Sequence, residues 1–162
     1  MSDPIYPNHQ AAQRIPAWIA PTAVLIGQVV LGENVQVHYN SVIRGDGSRV
    51  VIGDHSVVLE NCFVKSSAAN QVVIGSRVTV GHRAVLEGCI IHDGAVIGEG
   101  AQVLEGASVG RGAMIDPGAV VPRNSVVPPC SRFSVLPGQP PRELTAEEMD
   151  EMKALWEEIE KP

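Results

Sequence analysis

The sequence predicts an all-β solenoid, a parallel β-helix of hexapeptide repeats carrying a C-terminal α-helix. Residues 91–126 read IHDGAV, IGEGAQ, VLEGAS, VGRGAM, IDPGAV, VPRNSV, each unit led by an aliphatic residue. The fourth place is always Gly or Asn, the residues that adopt positive φ at least cost, so each unit is a short strand and a tight turn. Such a unit buries its apolar face only by stacking on its neighbours, which makes the repeat a solenoid. Composition agrees, since the chain is 44% hydrophobic but only 4% aromatic, a core of Val, Ile and Leu rather than of large rings.

Residues 1–18 contain Pro4, Pro7 and Pro16 and read as an extended N-terminal arm. The repeat body is expected over residues 19–136. Leading residues fall at Ile19, Leu25, Leu31, Val37 and Ile43, with Asn34 and Asn40 in turn positions. The frame breaks after Arg44, Gly45, Asp46, Gly47 and Ser48, resumes at Ile52, Val58 and Val64, breaks again over residues 70–73, and resumes at Ile74, Val80 and Leu86. The unit at Leu86, LEGCI, is one residue short. Residues 137–162 change character, with Pro137, Pro140 and Pro141 forming a linker. Thr145 and Glu148 then spell a capping box, and Met149, Met152, Trp156 and Ile159 recur at helical spacing. The expected helix spans residues 145–160, its stripe packing on the flank of its own solenoid.

With 162 residues, the chain is one domain's worth. The formal charge of −6, from 18 acidic and 12 basic residues without a basic cluster, excludes nucleic acid as the expected partner. No apolar run is long enough to cross a membrane, and the N-terminus lacks the basic start and apolar segment of a secretory signal, so a cytoplasmic location is expected. Cys62, Cys89 and Cys130 lack metal or disulfide spacing and read as reduced packing residues. His38, His55 and His92 read as surface or turn residues, the Arg44-Gly45-Asp46 tripeptide as structural, and no Gly-rich phosphate loop is present.

Three units per triangular coil put the leading residues in columns. One runs Leu25, Ile43, Val64, Leu86, Val103, Val121, and beside it Arg44, Lys65 and Glu87 form an outward charged row, with coils about 4.8 Å apart. A second runs Ile19, Val37, Val58, Val80, Ile97, Ile115, and its third-place residues set His82 between Glu60 and Glu99. This constellation is the candidate site.

The phrases VIRGDG, IGDHSVVLENCFVK, IGSRVTVGHRAVLEGC, HDGAVIGEGA and PPRELT resemble the gamma-class carbonic anhydrases over nearly the whole chain. The resemblance implies a left-handed coil, a homotrimer, and a metal held between subunits by three histidines. Carried over by position, those ligands fall on Lys65, His82 and Glu87, so one histidine is kept and two are replaced. The family's Gln and Asp that handle water and proton fall on Leu59 and Glu60. Arg44 and Asp46 match its intersubunit ion pair. A zinc site needs lone pairs from three protein ligands and an open fourth position, and an ammonium at Lys65 supplies none. The expected reading is therefore a trimeric, metal-free homologue without CO2 hydration, a scaffold or a binder of bicarbonate or another small anion. A Lys65 to Glu87 ion pair inside each subunit is expected in place of the metal, with Glu60 and His82 the candidate catalytic groups. The alternatives are a hexapeptide acyltransferase that takes coenzyme A and uses His82 as base, and a hydratase or lyase with zinc or a similar divalent metal on His82, Glu87 and Glu60.

Overall fold

In the computed structural model, residues 15–160 are described, so most of the arm expected over residues 1–18 and the last two residues of the chain lie outside the described residues. The strands of the first half are β1 (Trp18–Ile19), β2 (Val24–Leu31), β3 (Gln36–Val37), β4 (Val42–Ile52), β5 (Val57–Val58), β6 (Phe63–Lys65), β7 (Val72–Ile74), β8 (Thr79–Val80) and β9 (Val85–Glu87). There follow β10 (Ile90–Ile91), β11 (Val96–Ile97), β12 (Gln102–Val103), β13 (Ser108–Val109), β14 (Met114–Ile115), β15 (Val120–Val121), β16 (Val126–Val127), β17 (Ser131–Phe133), β18 (Arg142–Glu143) and helix α1 (Ala146–Glu160). Strands pair in parallel between successive coils to give a solenoid, and only β18 lies antiparallel, against β17. Among the described residues no helix is long and apolar enough to cross a membrane.

Each short strand of the regular run starts one residue before its leading position, and the leading side chain points inward. Val58, Val80, Ile97, Ile115 and Val121 are all fully buried. The turn residues adopt the left-handed backbone that the repeat requires, including Asn34, Asn124 and Gly94, but also His55, Arg77 and Arg83. The fifth place is inward as well: Ala95, Ala101, Ala107, Ala113 and Ala119 are buried, which explains why only small side chains stand there.

The columns stack as expected. Leu25, Ile43, Val64, Leu86, Val103 and Val121 are successive register partners, as are Ile19, Val37, Val58, Val80, Ile97 and Ile115. The first frame break is not a loop. Arg44 to Ser48 lie inside β4, which carries straight on around a corner with β2 beside it, shifting register between Gly27 and Val29. Gly45 allows this close pairing, since a Cβ there would sit 2.2 Å from the Gln28 carbonyl oxygen.

The capping box forms at the start of α1. The Glu148 amide donates to Thr145 Oγ1 at 3.2 Å and the Thr145 amide to Glu148 Oε1 at 3.4 Å. Trp156 ties the helix to its own solenoid, its indole N–H donating to the Gly94 carbonyl at 3.0 Å. Met152 is buried, while Met149 stays exposed, so the apolar stripe is only partly covered.

Candidate functional site

Register alone brings the charged row together. Ile26, Arg44, Lys65 and Glu87 are consecutive register partners on β2, β4, β6 and β9. Arg44 and Asp46, two residues apart on one strand face, pair inside the chain at 2.7 Å, a contact separate from the bond between subunits that the resemblance implies. That guanidinium hydrogen bond holds the Asp46 carboxyl below its ordinary range. The expected Lys65 to Glu87 ion pair is not formed: no contact within 4.0 Å joins them, although their backbones are adjacent. Lys65 ends its strand exposed to water, and an exposed ammonium gains too little from one partner to fix its long chain.

A second cluster forms where the chain turns after β3, β5 and β8. Glu60 Oε2 stands 2.8 Å from His82 Nδ1, and Glu60 Oε1 stands 3.4 Å from His38 Nδ1. No hydrogen bond forms at the first contact, and the shielded Oε2 remains without a donor. The carboxyl is held below its ordinary range first by its own backbone N–H, then by the two imidazoles, against the opposing effect of burial. His38 in turn meets Gln36 Oε1 through Nε2 at 3.1 Å. Trp18 packs edge-on against both His38 and Tyr39, with centroids 5.2 and 5.9 Å apart.

His82 therefore meets Glu60, as its column position requires, but not Glu99, whose carboxylate pairs with Arg83 instead. His38 is a site residue that reading the sequence missed. It holds the second place of the unit led by Val37 and Glu60 the third place of the unit led by Val58, one coil on, and comparing only like places across coils hides such a diagonal pair. Cys62 lies under the cluster, and burial pushes its thiol up to about 11; Cys89, deeper still, is pushed up to about 12. Neither supplies a thiolate at neutral pH. Cys130, by contrast, is exposed and occupies a left-handed turn position.

For the metal that the resemblance implies, the donor set does not fit. Two of the three positions present an ammonium and a carboxylate, and among the described residues no group of three His, Cys, Asp or Glu side chains is gathered to hold an ion. One cleft of about 460 Å³, lined by Ile15, Leu31, Glu33 and Asp54 among others, touches none of these residues.

Comparison with known proteins gives two kinds of relative. The bacterial transferase hexapeptide (six repeats) pattern matches residues 88–123. A Methanocaldococcus jannaschii protein described provisionally as a carbonic anhydrase is 40% identical over 57 residues, covering 35% of this chain and 36% of that protein. A Geobacillus kaustophilus carbonic anhydrase is 36% identical over 72 residues, covering 43% of this chain and 40% of its own length. The matches thus span less than half of the curated relatives. A solved structure from Bacillus cereus, described provisionally as an acetyltransferase, is 36% identical with a TM-score of 0.83, covering 88% of this chain and 83% of that one.

Proposed function

Because the chain belongs to the hexapeptide-repeat left-handed β-helix family that contains the gamma-class carbonic anhydrases, we propose that it is a homotrimeric carbonic anhydrase-like protein without metal-dependent CO2 hydration, acting as a scaffold or as a binder of a small anion such as bicarbonate. One observation carries this reading. Lys65 and Glu87, register partners on β6 and β9, occupy the places where two imidazoles would be needed. An ammonium has no lone pair to give a metal.

The test is metal analysis of protein purified without chelator, followed by stopped-flow CO2 hydration after zinc loading. The expected result is metal far below one ion per chain and no hydration above the uncatalysed rate. Stoichiometric zinc, with hydration lost on His82→Ala, would overturn the reading.

A second reading, acyl transfer from coenzyme A, is favoured by the Glu60 to His82 contact and by the likeness to the Bacillus cereus structure. With a carboxylate beside Nδ1, the imidazole's Nε2 is left to take a proton from an attacking amine or hydroxyl. Calorimetric titration with acetyl-coenzyme A separates the readings: no heat of binding is expected, and saturable binding would shift the assignment to transfer.

A further inference from the structure

Two of the buried polar atoms left without a hydrogen-bond partner are complementary. Arg44 Nε is a cationic donor in the charged row, and Glu60 Oε2 is a carboxylate acceptor in the His38 and His82 cluster. Buried groups of this kind are ordinarily satisfied, because leaving one unpaired costs its full desolvation. Within one chain they do not meet. Arg44 and Lys65 follow the column through Ile43 and Val64, whereas Glu60 follows the column through Val37 and Val58, so row and cluster stand at different corners of the triangular coil.

The same division appears in their surroundings. Lys65 is exposed and has no carboxylate within 4.0 Å among the described residues. Ile26, heading its row, is 41% exposed, and beside the Glu60 cluster Trp18 and Tyr39 are 43% and 46% exposed. One surface thus carries an exposed cation without an ion-pair partner, the other a carboxylate oxygen without a hydrogen-bond donor, and each lies beside bare apolar area. A surface of one kind on each chain and its complement on another corner makes a head-to-tail contact, which closes into a ring when the rotation allows.

We propose that the Lys65 ammonium of one subunit pairs with the Glu60 carboxylate of the next, so that a bridge made of protein alone takes the place in the intersubunit cleft that the family gives to a metal. This rests on the homotrimer of the preceding reading and selects between its branches. A cleft whose cation is already neutralised by protein holds no free anion, which leaves the scaffold. His38 and His82 then act as positioning residues that hold the Glu60 carboxylate toward its partner.

Charge reversal tests this on the full chain, with trimer dissociation followed by light scattering over a dilution series. Lys65→Glu and Glu60→Lys should each weaken the trimer by about tenfold or more, and the double reversal should recover most of that loss. Circular dichroism reports whether each variant keeps its β-helix. Should a reversal fail to fold, the neutral pair Lys65→Met and Glu60→Gln supplies the same cycle. A wild type that is monomeric at micromolar concentration overturns the trimer reading itself. A wild-type trimer in which the two substitutions act independently overturns only the bridge. Saturable bicarbonate binding that is lost in Lys65→Met also overturns it, and restores the anion-binding branch.

Discussion

The Glu148 carboxylate accepts from both terminal nitrogens of Arg142, at 2.9 and 3.3 Å, and from Arg132 at 3.2 Å, while also closing the capping box with Thr145. The arginine hydrogen bonds, Arg142 first, hold its carboxyl down to about 2. A carboxyl whose folded value is depressed contributes stability in full above its ordinary value of 4.5, and loses it as pH falls toward the folded value. Glu148→Gln should therefore lower the melting temperature at pH 7, and the gap to wild type should close between about pH 4.5 and pH 2. A gap of constant size in melts across that range would contradict the assignment. The sequence announced this residue through the spacing from Thr145, but not its arginines, which reach it from β17 and β18 across the fold. For the same reason it misjudged Lys65. Register fixes where two Cα atoms stand, yet the last torsions of a lysine in water are set by solvent and entropy.

Helix α1 meets the solenoid at a turn glycine. Gly94 has φ 72, and a Cβ there would lie 2.6 Å from the Trp156 ring, whereas Gly100, at φ 70, would meet nothing within 4 Å. The two positions share a backbone strain and differ in one contact. Gly100→Ala should cost about 1 kcal/mol, the ordinary penalty of a left-handed residue with a side chain. Gly94→Ala should cost more and alter Trp156 fluorescence, because the ring must leave its seat; equal costs in chemical denaturation would place the helix off the solenoid in solution. Strands and helix were readable because period six and helical spacing are local signals. The path of Arg44 to Ser48 was not. Its Gly and Asp suggest a loop, and it is pairing with the neighbouring coils, β2 on one side and β6 and β7 on the other, that makes it part of a strand. β18 was hidden likewise, since two residues after three prolines carry no pattern until β17 lies beside them.

At the level of the whole molecule, replacing Lys65 and Glu87 together by histidine puts imidazoles on the register partners of β6 and β9. Lys65→His with Glu87→His should bind zinc near stoichiometry by metal analysis, while hydration stays low because Leu59 offers no amide to orient water. Failure to bind zinc in an intact trimer would show that the cleft no longer has the family's geometry. The columns that make this substitution designable were legible in full, because three units per coil convert a sequence offset directly into adjacency. In the later coils that offset is constant: Val96 pairs with Met114, Gln102 with Val120 and Ser108 with Val126, always 18 positions on. An insertion or excision of one such block would leave every retained side chain facing as before, so the natural quantum of mutation for this chain is a whole rung. The short unit at Leu86 records the alternative, where Val80 pairs with Ile97 across one residue fewer and the missing link is absorbed at Gly88, whose φ is 45. The coil therefore accepts a change of length by whole rungs, and by single residues where a corner is rebuilt around a glycine.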